Sequence, residues 1–421
     1  MVRRRTVVVL TVLFCTVLVS VIGWADEKKP IILIPIAFDD KPNAQIYYYL
    51  DRALDKRPEL QNNDVNSALD RGTNRIHFDN LKQARVHLDA ARAAFKQANY
   101  PQALVEFTKS VELYEKSFSF LQSDQEFIDA LVGLGFSNGM SGVQDEAINA
   151  FKKALTFNPD AKYDFSRYPQ NLHNLFKKAK KDLATASTGD LKVITEPSNA
   201  EVYVNGQFRG ISPVVVRQLP IGAHYVKIRK LGFSRINQTM VVSAGTNTQT
   251  VVLTASRRKS LLDSKIPTFR LDVSEKKASD TIVDLRSLFF VDHVIFASVF
   301  GAGDQRQLQL SIFDLDRRSR LKQVKIPVNV KTFGLAAATS AIKKLLDGVA
   351  LTLAPEKRPT HKVKTRVVKS TPLYKKWWFW TVIGVAVAGG AATGIILGTR
   401  KSGGESGLKK VPNTGAMILH F

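Results

Sequence analysis

The sequence predicts a multi-domain α+β protein made of α-helical hairpins, a small all-β sandwich, a mixed α+β module and a C-terminal transmembrane helix. Three observations predict it. Apolar residues recur with a helical period over residues 80–186 and then alternate over 189–255. Two long uncharged apolar runs, 6–22 and 377–399, stand near the two ends. Finally, 421 residues with 44% hydrophobic and 23% charged side chains suffice for several folded modules, and fit neither global disorder nor a multi-span membrane protein. The single Cys15 excludes an intramolecular disulfide, a cysteine-built zinc site and an iron–sulfur cluster within the chain.

Residues 1–25 read as an export signal. Arg3, Arg4 and Arg5 precede the first apolar run, and Gly23-Trp24-Ala25 puts small residues where cleavage after Ala25 needs them. An uncleaved anchor is the other reading, for which the run is slightly short. Residues 26–60 form a β–α element: an apolar stretch at 30–37 suits a buried strand, and helical spacing follows at 44–54. The polar, Asn-rich stretch 62–74 reads as a linker or loop.

In the helical region, Asn99-Tyr100-Pro101 supplies a turn and a proline suited to a first helical position, with Ala103 and Phe107 four apart. Further on, Leu134, Gly135, Gly142, Ala147, Phe151, Ala154, Asn158 and Pro159 put small residues where antiparallel helices cross and large ones between them. This second set resembles a tetratricopeptide repeat over residues 130–159. Phe107 and Phe151 stand 44 residues apart, against a repeat of about 34, so an insertion near 116–125 is expected. The resemblance implies a groove for a protein partner, with the helix around 168–183 capping the stack. The other reading is that these helices only space and pack against neighbouring modules.

Alternation over 189–255 predicts six strands, at 191–196, 200–204, 213–219, 224–230, 239–243 and 248–254. Asn205-Gly206 signals a tight hairpin, because both residues tolerate positive φ. Pro197-Ser198-Asn199-Ala200, Val202 to Gly206, Gly210 to Pro213, and the run through Pro220 and Gly222 to His224 together resemble a PEGA domain. That resemblance implies an envelope or surface protein in which the module binds or spaces without catalysis. His224 alternates with Val226 and Ile228 on one strand face and reads as structural.

Residues 262–352 predict an α+β module: a helix at 281–290, strands at 293–300, 307–315 and 321–330, and a helix at 336–351. Its order is similar to the N-terminal domain of the TolB family, and the early β–α element would be the first part of that split domain if the other two modules are inserted. A basic linker follows at 353–376. Residues 377–399 span roughly 34 Å as a helix, enough to cross a bilayer, with Trp377, Trp378 and Trp380 at an interface. Gly390, Gly394 and Gly398 share one face of that helix, which suits self-association into a homo-oligomer, although small residues are also common in membrane helices. A tail, 400–421, completes the chain.

The net charge of +24 lies largely beside the apolar segments, with twelve Lys or Arg against two acids in 356–421. That placement favours anionic lipid or cell-wall polymer over nucleic acid. Positive charge is greater upstream of the membrane segment than downstream, which by itself would invert the protein. The export signal argues instead for most of the chain lying in the periplasm, since long domains translocate regardless of charge. No catalytic motif, metal-ligand spacing or cofactor loop occurs, and Asp314 and Asp316 read as turn residues. The sequence therefore predicts a non-enzymatic, cofactor-free envelope scaffold that binds protein partners through its helical groove. The alternative is a cell-wall or polysaccharide binder using the β-sandwich and the basic stretch.

Overall fold

Four consecutive isoleucine and leucine residues make strand β1 (Lys29–Pro35) a fully buried strand, with Ile31, Ile32, Leu33 and Ile34 at most 1% exposed. The computed structural model describes residues 28–36, 40–161, 163, 165–166 and 168–351. Helix α1 (Lys41–Asp55) follows, capped by Asp40, whose carboxylate accepts the Asn43 N–H at 2.8 Å. The chain returns as β2 (Leu60–Asn62), parallel to β1, and enters α2 (Val65–Leu69), where Asp64 accepts the Ser67 N–H at 2.7 Å. The stretch 62–74 is thus not a linker. Its Asp and Asn side chains cap a helix and bond to other modules, uses that polarity alone does not reveal.

The helical module comprises α3 (Arg75–Lys96), α4 (Tyr100–Glu115), a 3-10 turn at Phe118–Phe120, α5 (Gln125–Met140), α6 (Gln144–Phe157) and α7 (Gln170–Ala184). Each of these helices packs on the next. Helix α5 is approached closely on several sides. A Cβ on Gly133 would lie 2.2 Å from the Phe107 ring, one on Gly135 2.5 Å from the Phe151 ring, and one on Gly139 2.3 Å from Leu172. Glycine inside a helix costs about 1 kcal/mol relative to alanine; burying two phenylalanine rings completely offsets it.

Seven strands build the next module: β3 (Thr188–Glu196), β4 (Glu201–Val204), β5 (Gln207–Ile211), β6 (Val214–Pro220), β7 (Gly222–Arg229), β8 (Ile236–Val242) and β9 (Gly245–Val252). They form two sheets, ordered β6-β3-β9 and β5-β4-β7-β8, closed over Leu191, Val193, Val202, Val226, Ile228 and Met240. Strand β5 is the one that six-strand alternation does not predict. It carries exposed Gln207 and Arg209, and its pairing with β4 is interrupted by a bulge near Gly210.

The last described segment begins with α8 (Lys259–Asp272), whose internal Pro267 hides its period from sequence reading. Two short helices, α9 (Asp280–Val283) and α10 (Leu285–Phe289), replace the single helix expected at 281–290, and Phe290 ends them in the left-handed region. Strands β10 (His293–Phe300), β11 (Gln305–Asp314) and β12 (Ser319–Asn329) then lead to α11 (Leu335–Leu346). Strand β10 pairs in parallel with β1, placing Ile31 opposite His293, so the sheet order is β12-β11-β10-β1-β2. Helices α1 and α11 cover one face; α2 and α8 to α10 cover the other. The N-terminal β–α–β piece and the chain beyond the β-sandwich therefore share one sheet and two cores.

Among the described residues, no helix is long and apolar enough to cross a membrane. The export-signal segment 1–25, the linker 353–376, the run 377–399 with Gly390, Gly394 and Gly398, and the tail lie outside the described residues.

Candidate functional site

Two features stand out from the packing: a buried ionic junction where three modules meet, and an open aromatic groove on the helical module. The junction centres on Arg229 at the end of β7. Its guanidinium lies 3.3 Å from Asp51 of α1, 3.2 Å from Asp64 of the α2 cap and 3.7 Å from Glu201 of β4. Arg235 adds a 2.8 Å pair to Asp64 and donates to the Ser119 carbonyl in the 3-10 turn. Burial alone would raise the Asp64 carboxyl, but Arg235 and Arg229 hold it far below the usual carboxylate range. The void among these groups is about 20 Å³, too small for more than a water.

Neutral bonds reinforce the same junction. Asn66 donates to the Lys230 carbonyl and accepts the Gly232 N–H, at 2.9 and 2.8 Å. Asn237 accepts the Ser119 N–H at 2.8 Å, and Tyr225 donates to Glu115 while its ring enters the helical core among Phe118, Phe127 and Phe157. The 3-10 turn at Phe118–Phe120 thus docks the helical module on β7 and β8. The junction is an ion-pair lock in which the carboxylates are paired while the Nε atoms of Arg229 and Arg235 have no hydrogen-bond partner, and its void is too small for a ligand.

Within the β-sandwich, Asn205 and Gly206 turn with φ of 48° and 75°. Asn205 accepts the Tyr225 N–H, which turns its amide nitrogen to donate to His224 Nδ1 at 2.9 Å. His224 Nε2 in turn donates to the Pro220 carbonyl at 2.7 Å. Both imidazole nitrogens are engaged and the ring is neutral; burial pushes its pKa down. Ala200 is fully buried, and its N–H donates to the Ser212 hydroxyl at 2.9 Å beside Pro213. Pro197 precedes Ala200 at the β3–β4 turn, while Gly210 and Gly222 take positive φ at the ends of β5 and β7. These positions shape turns and strand ends; none presents reactive chemistry.

The groove lies between α7 and Ala161, Tyr163 and Phe165. It encloses about 560 Å³ and is walled by Tyr163, Phe165, His173 and Phe176, with Lys177, Lys180 and Lys181 along its rim. Tyr163 meets Phe176 edge-on at 5.5 Å, and Phe165 stacks on His173 at 4.8 Å. Burial pushes the Tyr163 hydroxyl up to about 12. Phe165 and Tyr168 pack on Phe136 of α5. Phe151, behind the groove, touches Phe176 at 5.4 Å. Ala147, Phe151 and Ala154 are buried at the α5–α6 crossing, Gly135 receives the Phe151 ring, Leu134 is half-buried, and Pro159 is exposed just past α6. Of the repeat-like positions only Phe151 backs a wall of the groove, through Phe176, and the groove itself uses residues that sequence reading did not single out.

Elsewhere, Asp314 accepts the N–H groups of Asp316 and Arg317 at 2.9 and 2.8 Å, as a turn residue does. His293 is buried, 3.9 Å from Asp314, and burial pushes its pKa down. Among the described residues no cluster of three or more His, Cys, Asp or Glu is placed to hold a metal.

The architecture defines a modular α+β protein containing a two-sheet β-sandwich. Residues 188–257, which make up that sandwich, match the PEGA domain family. No curated protein matches the chain. Among solved structures, a candidate carbohydrate binding protein from Bacteroides uniformis ATCC 8492 is similar at 10% identity and a TM-score of 0.13. The match covers 31% of this chain and 53% of that one, so the chain spans about half the length of the structure it matches. A likeness at that level carries neither fold nor function to this protein.

Proposed function

We propose that the protein is a non-enzymatic, membrane-anchored bacterial envelope scaffold that holds a protein partner in the groove of its helical module. The observation that carries this reading is the groove itself: about 560 Å³, open, aromatic-walled and lysine-rimmed, room for a few residues of a partner. The PEGA match supports an envelope setting, because the resemblance implies modules of that kind. The locked junction supports a scaffold, since buried bonds from Arg229, Asn66 and Tyr225 hold the modules together. A cell-wall or polysaccharide binder is the competing reading, favoured by the basic stretch between residues 357 and 376.

Purification of the full-length chain from detergent-solubilised envelopes, after digestion of cell-wall polymer and a wash at high salt, separates the two. The scaffold reading predicts a discrete co-purifying protein. Recovery of polymer fragments alone, released by salt, would overturn it, because binding through Lys and Arg to a polyanion weakens steeply with ionic strength.

A further inference from the structure

The identity of the groove's occupant is constrained by charges that have no counter-charge among the described residues. Lys177, Lys180 and Lys181 lie on one face of α7 at i, i+3 and i+4. All three are exposed, and among the described residues none makes an ion pair. Their neighbours differ: Lys152 and Lys178 both pair with Asp182, at 3.0 and 3.1 Å. A cation in the last turn of a helix is favourable through the helix dipole, which accounts for Lys181 but not for Lys177, two turns from the helix end. Three adjacent ammonium groups on one face repel one another, and an acidic occupant removes that repulsion.

The walls constrain the occupant further. The rings are turned on each other, Tyr163 edge-on to Phe176 and Phe165 flat on His173. Phe165, which also stacks on Phe136, thereby has its flat face engaged within the protein. What remains open is a space lined by aromatic rings, which suits insertion of an apolar side chain. Resting on the reading of the groove as a partner-binding surface, we propose that it binds an acidic peptide segment with a bulky apolar side chain, the side chain entering the aromatic slot and the carboxylates meeting Lys177, Lys180 and Lys181.

The test uses the full-length protein in detergent and a fluorescein-labelled heptapeptide, Asp-Glu-Glu-Phe-Glu-Asp-Asp, followed by fluorescence anisotropy. Saturable binding is expected. Replacing the peptide's Phe by Ala should weaken it at least about tenfold, as loss of a buried aromatic does, and the Lys177→Glu, Lys180→Glu, Lys181→Glu variant should weaken it by a similar factor. A peptide of the same pattern with Lys and Arg for its acids should not bind the unaltered protein, a control that does not depend on the variant folding. Absence of binding overturns the proposal. So does binding that ignores the Phe and is displaced by polygalacturonate, which would mark the lysines as a non-specific cationic patch. If a protein still co-purifies from envelopes while the peptide fails, the occupant's chemistry is wrong and the scaffold reading stands; if the peptide binds and nothing co-purifies, the scaffold reading fails.

Discussion

His224 shows how a residue type that suggests chemistry is used for shape. Its neighbours on the strand, Val226 and Ile228, are legible as an inward face, and the structure adds what spacing cannot give: a partner on each nitrogen, Asn205 and the Pro220 carbonyl. A proton on Nδ1 would confront the Asn205 amide, and burial already lowers this imidazole's pKa. With the folded value below the unfolded one of about 6.5, the unfolded chain binds more protons as pH falls, so stability is full above that pH and declines beneath it. Denaturant titrations at pH 7.5 and 5.5 should therefore show a loss in acid that is smaller in His224→Gln. An identical loss in the variant would mean that other groups carry the acid sensitivity. Lys227, at the same sheet, is the basic counterpart: burial pushes its ammonium down to about 8.

At the scale of elements, the helices and strands with a clean period were legible. The apolar run at 30–37, the strand at 293–300 and the helix beginning near residue 336 appear as β1, β10 and α11. Where the period was broken, the reason is physical. Pro267 conceals α8, the bulge at Gly210 conceals β5, and Asp64 and Asn66 make 62–74 look like solvated loop because their partners, Ser67 and the 230–232 backbone, cannot be read from local sequence. The groove was illegible for a similar reason: residues 161–168 have no repeat, and lysines on α7 look like any solvated helix face. The α5–α6 crossing was more accessible, since small residues facing a phenylalanine imply close approach. Phe151→Ala should cost about 3 to 5 kcal/mol in urea denaturation of the full-length protein. Gly135→Leu should also destabilise, because a Cβ there already overlaps the Phe151 ring. A cost below about 1 kcal/mol for Phe151→Ala would place the ring outside the load-carrying core.

For the whole molecule, the consequence of the ionic junction is that modules far apart in sequence resist separation together. Arg229 gathers carboxylates from residues 51, 64 and 201. Removing it in Arg229→Met leaves buried carboxylates short of a counter-charge, and about 3 to 5 kcal/mol should be lost. Circular dichroism should then show more than one transition, the β-sandwich separating from the module that carries Asp51 and Asp64. A single unchanged transition would show that the modules do not depend on this lock. Under the proposed membrane-anchored reading, protease added to spheroplasts should digest the region 26–376, and protection of that region with digestion of the tail would support the opposite topology, which the charge asymmetry favours.

The central claim is that the helical groove engages a protein, and a photoreactive benzoylphenylalanine in place of Lys181 tests it most directly in intact cells. Irradiation should yield one or a few discrete protein adducts, lost when Lys177→Glu is added and absent when the photoreactive residue replaces exposed Thr248 on the outer strand of the β-sandwich. Adducts to polysaccharide alone, or the same protein adducts from both positions, would contradict it.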